Sequence, residues 1–106
     1  MVGKDAFVWI AIGRKTIEVR KGMAKKGDDA VFRYGRKTLR GKITMREEDS
    51  LTEILREDNY KNIIPIAKSL EMAIMYFEGL YGTVEGTFAA YHFDLKQKLI
   101  DLSRVK

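Results

Sequence analysis

The chain has 106 residues, of which 45% are hydrophobic and 33% are charged, and it contains no cysteine. This size and composition predict a single folded domain over 1–106, and they exclude disulfides, thiolate metal sites and thiol catalysis. Near the start, the apolar run Ala6–Ile12 is too short to cross a bilayer and lacks the features of a secretory leader. We therefore expect a cytoplasmic protein with no membrane partner.

The formal charge of +5 is distributed unevenly along the chain. Residues 1–46 hold 13 Lys or Arg against 4 Asp or Glu, whereas residues 47–106 hold 7 against 11. A chain divided in this way offers one cationic patch to a polyanion such as RNA. The alternative is a well-solvated, charge-rich surface without a specific partner.

The first predicted elements are a short helix and a strand. Asp5 is expected to cap a helix over Ala6–Ile12 that stops at Gly13, because Asp is a good N-cap acceptor and Gly tolerates a left-handed stop. Alternating apolar residues leave a strand as the alternative for this segment. The next segment alternates as a strand, with Ile17 and Val19 on one face and Thr16, Glu18 and Arg20 on the other.

A basic loop and two further strands follow. Lys21–Asp29 is rich in turn residues and in lysine. Ala30–Tyr34 and Lys37–Met45 are predicted to be strands, and Gly41 indicates a bulge or a close backbone approach within the second of them. Arg46–Ser50 is expected to be a solvated turn.

Beyond this point the apolar residues adopt helical spacing. Ser50 and Glu53 form a capping-box signature ahead of a helix over Leu51–Glu57. Pro65 interrupts the helical pattern because proline disfavours helix in the residue before it. A longer helix is predicted over Ala67–Gly82, and it is expected to stop near its glycines.

The last predicted strand is Gly86–Leu95, and an amphipathic C-terminal tail over 95–106 is a candidate helix. Three consecutive strands and one late strand, with helices between them, predict an α+β fold. We expect a small mixed, mostly antiparallel sheet that curls toward a barrel.

Outside the predicted strand Thr16–Arg20, few side chains are candidates for catalysis or ligand binding. His92 is the sole histidine and lies in an apolar, aromatic strand, so we expect a packed or strand-edge histidine rather than a catalytic one. The side chains of Glu47, Glu48 and Asp49 are expected to point in different directions into solvent rather than to bind a metal together. Tyr76 and Tyr81 are candidates for a pocket rim on which a base stacks, with core packing as the alternative.

The stretch Gly13–Arg20, GRKTIEVR, sets one carboxylate among several cationic side chains. Positive neighbours stabilise the charged form of a carboxylate, so Glu18 is expected to be an ionised acceptor. Between Lys15 and Arg20, Glu18 is a candidate to accept from the amine of a nucleobase while the cations hold a phosphate. A surface ion-pair strip of little energetic value is the alternative.

This stretch resembles the G-x-K-x-x-E-x-R signature of the ASCH domain, a member of the PUA-like β-barrel superfamily. Gly13, Lys15, Glu18 and Arg20 fill all of its specified positions. The likeness extends over about residues 7–94, through three further blocks that occur in the family's order: Lys25–Phe32, Leu51–Pro65 and Met75–Phe93.

The resemblance implies a small barrel whose cleft is lined by the Lys, Glu and Arg of the signature. The role proposed for such clefts is the binding of RNA or modified nucleosides. We therefore predict an RNA- or nucleotide-binding domain without a cofactor or metal, with ligand contacts from Gly13, Lys15, Thr16, Glu18, Arg20, Arg36, Lys37, Arg40 and Tyr76. Arg33 and Lys42 are expected to extend the cationic surface along an RNA backbone.

An enzyme is the alternative that the resemblance leaves open. Some ASCH members look like RNA-processing enzymes, and one branch is an amidohydrolase of acylated cytidine. An N4-acetylcytidine-type amidohydrolase or a ribonuclease would use Lys15 and Glu18 as catalytic groups. The threonine of the amidohydrolase branch is replaced by Glu18 here, and the strand that usually precedes the first helix has only residues 1–4 available. A protein-interaction domain with an acidic C-terminal half is a third hypothesis.

Overall fold

The computed structural model describes residues 2–96, in which helices and strands follow nearly the predicted order. An additional four-residue helix, α3, lies between the two predicted for the second half of the chain. The elements are α1 (Lys4–Ala11), β1 (Ile17–Lys21), β2 (Asp29–Tyr34), β3 (Lys37–Ser50), α2 (Leu51–Ile54), α3 (Tyr60–Ile63), α4 (Leu70–Tyr81) and β4 (Thr87–Leu95).

The strands form one sheet in the order β1-β4-β3-β2, and every pairing within residues 2–96 is antiparallel. The sheet is therefore antiparallel throughout rather than mixed, because β4 returns from α4 to run between β1 and β3 and opposite to both. The two outer strands, β1 and β2, line a common cavity, so the sheet curls into a half-barrel. The predicted curled, barrel-like α+β fold is confirmed at this level.

The alternation predicted for β1 is confirmed by its burial. Ile17 and Val19 are 4% and 3% exposed and pack on the outer face of the sheet. Glu18 and Arg20 point the other way, to the concave face, beside their register partners on β4. Thr16 lies just before β1.

Each face of the sheet has its own core. The outer face packs against α2, α3 and α4 through a cluster that includes Phe88, Leu51 and Phe77. The concave face packs against α1 through a smaller cluster of Val2, Phe7, Ile10, Phe32 and Phe93. Since α1 covers only one end of the concave face, the other end is left open for a site.

The first helix forms as predicted, but Asp5 does not cap it. Gly3 is the N-cap, and Asp5 lies in the first turn, where a negative charge is favourable to the helix dipole. After the helix, Gly13 has a φ of +83°, which is the left-handed conformation that stops the helix. No helix within residues 2–96 has the length and hydropathy needed to cross a membrane.

The acidic segment Arg46–Ser50 is not a turn but the C-terminal part of β3. Its residues pair with β4 in continuous register, Glu47 opposite Ala90 and Glu48 opposite Ala89. Charged residues have low strand propensity, so this segment carries no local strand signal, and pairing with the central strand decides the structure. As a result the acidic side chains alternate between the two faces of the sheet.

The ends of α2, α4 and β4 confirm some of the local predictions and differ from others. Ser50 is the N-cap of α2 as expected, but its side chain makes no capping hydrogen bond, and the helix is four residues long. The helix α4 ends at Tyr81, and Gly82, with a φ of +78°, is its C-cap, so the helix continues past Gly79. The strand β4 includes Leu95, and the predicted tail helix lies outside the described residues from 97 onward.

Candidate functional site

Lys15 is placed by the turn that follows α1. The backbone N–H groups of Arg14 and Lys15 both donate to Trp9 O, at 2.9 and 3.0 Å, so the chain folds back before it enters β1. This turn directs the Lys15 side chain inward, where it is 3% exposed. Its Nζ donates to Ile63 O at 2.7 Å and to Ile17 O at 3.0 Å.

The third neighbour of this ammonium group is Glu18 Oε1, at 3.3 Å. An ammonium has three donors, and here each of them faces an acceptor. Burial lowers the pKa of Lys15, and the charge of Glu18 opposes that effect. Lys15 therefore ties α3 to β1 and fixes one oxygen of Glu18, rather than presenting a free cation to a ligand.

The second oxygen of Glu18 is held by Arg20. Glu18 Oε2 accepts from Arg20 Nε at 3.1 Å and from Nη2 at 3.0 Å. Arg20 is 48% exposed and Glu18 only 14%, so the guanidinium lies outside the carboxylate. A carboxylate oxygen has two acceptor sites, and within residues 2–96 Oε1 contacts only Lys15, so one of its acceptor sites is left for a ligand.

An aromatic cavity of about 350 Å³ opens beside this carboxylate. It lies between α1 and α4, along the outer edge of β1, and its aromatic lining consists of Trp9, Tyr76, Phe77 and Tyr81. Burial and then the negative charge of Glu18 raise the pKa of Tyr76, so its phenol is a hydrogen-bond donor at neutral pH. The cavity thus combines ring faces with a fixed carboxylate.

A second cavity, the lysine cavity, has a volume of about 550 Å³ and lies in the gap between β1 and β2. Its lining includes Arg20, Lys21, Lys25 and Lys26, and the acidic side chains of Glu18 and Asp29. The two cavities share three lining residues, so they meet at the carboxylate: Glu18, Arg20 and Tyr81.

The structure brings only part of the predicted site together. Lys15, Glu18, Arg20 and Tyr76 line the aromatic cavity, whereas Gly13 and Thr16 line neither cavity. Gly13 shapes the turn, and the Thr16 backbone bonds Asn62 O and Phe93 N. The remaining predicted contacts lie on the β2–β3 hairpin and line neither cavity: Arg33, Arg36, Lys37, Arg40 and Lys42.

The sequence-based prediction missed Trp9, Lys25 and Lys26 as site residues. Lys25 and Lys26 belong to the predicted basic loop that follows β1. No local sequence pattern predicts that this loop packs over the concave face. Trp9 sits in an apolar run that predicts only a helix, and its position beside α4 depends on tertiary packing.

His92 and Glu47 form a separate pair on the outer face of β4 and β3. His92 Nε2 lies 2.7 Å from Glu47 Oε2, and Arg56 Nη1 lies 3.6 Å from the other Glu47 oxygen. The histidine is half-buried, with 22% of its side chain exposed, and it lines neither cavity. Within residues 2–96 no group of three or more acidic or histidine side chains is arranged to hold a metal ion.

Comparisons of this chain with protein-family models, with curated proteins and with solved structures found no match. The geometry of the two cavities and the residues Glu18 and Arg20 that they share are the features from which a function can be inferred.

Proposed function

We propose that the protein is an RNA- or nucleotide-binding domain of the ASCH type that holds a nucleobase in the aromatic cavity. The observation that carries the proposal is the position of Glu18, a carboxylate fixed by Lys15 and Arg20 where the aromatic cavity and the lysine cavity meet.

The size and lining of the aromatic cavity support a nucleobase. Its volume of about 350 Å³ lies at the lower end of the range of small-molecule sites, which suits a nucleoside rather than a larger ligand. The rings of Trp9 and Tyr76 lie on opposite helices, α1 and α4, and offer surfaces on which a base can stack. Stacking on aromatic side chains is the usual way in which unpaired bases are bound.

The polar groups of the cavity support recognition of an amino-bearing base. The free acceptor site of Glu18 Oε1 suits the exocyclic amine of cytosine or adenine, and carboxylates accept from such amines in nucleic-acid recognition. Uracil presents a carbonyl oxygen at the position of the cytosine amine, and two acceptors facing each other repel. We therefore expect cytidine to bind more tightly than uridine.

The enzyme alternative is favoured by one observation, the lowered pKa of buried Lys15. A general base or nucleophile needs a free lone pair, however, and Lys15 Nζ donates to two backbone carbonyls while its third neighbour is a carboxylate. This arrangement holds the protonated form in place. Binding without turnover is therefore the function that the geometry supports better.

Trp9 provides a direct test because it is the single tryptophan of the chain and lines the aromatic cavity. Titration with cytidine, uridine, adenosine and a short RNA at low ionic strength should quench its fluorescence. We expect cytidine to bind at least about tenfold more tightly than uridine, which corresponds to about 1.4 kcal/mol for one charge-assisted hydrogen bond. If none of these ligands changes the fluorescence or binds by calorimetry, the proposal is wrong.

Glu18→Gln is the matched variant, because the amide keeps the shape of the side chain but adds donors that suit uridine. It should narrow or reverse the preference for cytidine. Glu53→Gln, an exposed position on α2 that lines neither cavity, is the control and should keep the preference. Incubation with N4-acetylcytidine and with labelled RNA, analysed for products, tests the enzyme alternative in the same samples.

A further inference from the structure

The lysine cavity is bounded by the two unclosed edges of the half-barrel. β1 and β2 are the outer strands of the sheet, and both line this cavity, with Tyr91 of the central strand β4 between them. The fold therefore leaves an open space on its concave face. At about 550 Å³ this space is larger than the aromatic cavity, with which it shares Glu18 as a lining residue.

The loop that carries Lys25 and Lys26 is fixed to the concave face by its backbone. Ala24 N donates to Glu48 Oε1 at 2.7 Å, and Lys25 N donates to the Tyr91 hydroxyl at 2.9 Å. Arg46 donates to Gly27 O in the same loop. Because three side chains of the sheet hold its backbone, the loop keeps its lysines at the mouth of the cavity.

The cationic side chains of this cavity differ in the contacts that they make within the protein. Lys21 Nζ donates to Glu85 O at 2.8 Å and lies over the Phe88 ring, so it is committed to the fold. Within residues 2–96, Lys25 and Lys26 form neither ion pairs nor side-chain hydrogen bonds, and both are exposed. Arg20 binds Glu18 through Nε and Nη2, which leaves Nη1 outside that pair.

We propose that Arg20, Lys25 and Lys26 form a phosphate subsite, so that the ligand of the aromatic cavity is a nucleoside phosphate rather than a free nucleoside. This inference depends on the proposed function, since it places the phosphate next to a base that is held by Glu18. Arginine and lysine are the side chains that neutralise phosphate. Of the two acidic side chains in the lining, Glu18 is paired with Lys15 and Arg20, and Asp29 is paired with Lys96 at 3.4 Å. The cationic hairpin 33–42, which the sequence suggested for this role, lines neither cavity through its basic side chains.

The test compares cytidine with cytidine 5′-monophosphate and 3′-monophosphate, and with a short cytidine-containing RNA, by Trp9 fluorescence at low salt. We expect at least one monophosphate to bind about tenfold or more tightly than cytidine, and salt to reduce that advantage. The double variant Lys25→Gln/Lys26→Gln should remove most of the advantage while cytidine affinity stays the same. The double variant Lys61→Gln/Lys68→Gln makes the same charge change at exposed positions outside both cavities, and it should keep the advantage.

The outcomes separate this inference from the proposed function. If no nucleoside binds, the proposed function is wrong, and the phosphate subsite is wrong with it. If cytidine binds and neither monophosphate nor the RNA binds more tightly, only the subsite is wrong. If Arg36→Gln/Lys37→Gln removes the advantage and the Lys25/Lys26 variant does not, the phosphate lies at the hairpin and the inference is overturned. An advantage seen for the RNA alone, and lost in the Lys25/Lys26 variant, assigns the subsite to an RNA backbone phosphate.

Discussion

Lys15 Nζ lies 3.3 Å from Glu18 Oε1, and the same ammonium donates to the carbonyl oxygens of Ile17 and Ile63. One buried cation thus holds the Glu18 carboxylate and joins the edge strand β1 to the end of α3. Removal of such a group leaves two carbonyls and one carboxylate oxygen without their donor.

The first prediction follows from this contact. Lys15→Met, which keeps the length of the side chain but not its donors, should lower the free energy of unfolding by about 3–5 kcal/mol, as expected when one partner of a buried ion pair is removed. Lys68→Met, at an exposed position, should change it by less than about 0.5 kcal/mol. Urea denaturation measures both variants. A Lys15→Met protein as stable as the parent would show that the ammonium makes no net contribution.

The pH dependence of stability provides a second test. Burial lowers the pKa of Lys15 below its ordinary 10.5, so between that lowered value and 10.5 the unfolded chain binds more protons than the folded one. Stability contributed by this group therefore rises with pH in that window and falls away as the pH drops through the folded pKa. Tyr76 acts in the opposite direction, because burial raises its pKa above 10.0 and stability falls as the pH rises past that value.

The measurement is the urea midpoint of the parent and of Lys15→Met at several pH values up to 10.5, the upper end of that window. Both proteins contain Tyr76, so its contribution cancels in the difference between them. The parent should gain stability relative to the variant as the pH rises. A difference that stays constant or shrinks over this range would contradict a lowered pKa for Lys15.

The sequence predicted the elements of this fold better than the arrangement of its site. Ile17 and Val19 alternate with Glu18 in a pattern that defines a strand and its two faces, so that part of the site followed from local residues. Lys15 was expected to hold a phosphate of the ligand, yet it is buried, because the turn onto Trp9 O directs it toward Ile63, 48 residues away in sequence. Local patterns carry no information about such distant partners.

The acidic segment Arg46–Ser50 is a second case in which local sequence patterns did not predict the structure. Glu48 belongs to a charged segment that was expected to be a solvated turn, and its structural role depends on two distant segments. It pairs with Ala89 of β4, and its side chain holds Ala24 of the basic loop. The lysine cavity therefore arises from long-range pairing, for which no local pattern of residues is a signal.

A third prediction concerns the close approach at Gly41. A Cβ at this position would lie 2.7 Å from Asp94 O, a backbone atom of the neighbouring strand that has little room to move. Gly41→Ala should therefore destabilise the protein by about 1–3 kcal/mol, the usual range for overpacking. The measurement is again urea denaturation.

Gly79→Ala is the matched control for this prediction. Gly79 lies inside α4 without a positive φ, and a methyl group added to its Cα would have no atom within 4 Å, so alanine fits there. This variant should stabilise the protein by about 0.5–1 kcal/mol, because alanine favours helix over glycine. Equal effects of the two substitutions would refute the steric explanation for Gly41.

The last prediction tests the aromatic cavity at Tyr76, which is 42% exposed at the cavity and carries a phenol near Glu18. Tyr76→Ala should weaken cytidine binding about tenfold or more, since stacking of a base on one aromatic ring contributes about 1–3 kcal/mol. Tyr76→Phe should retain most of the affinity, because it keeps the ring and removes only the hydroxyl. The neighbouring Met75 is 66% exposed and lines neither cavity, so Met75→Ala should bind like the parent. Trp9 fluorescence titration measures all three variants, and equal losses in Tyr76→Ala and Met75→Ala would show that the base does not stack on this ring.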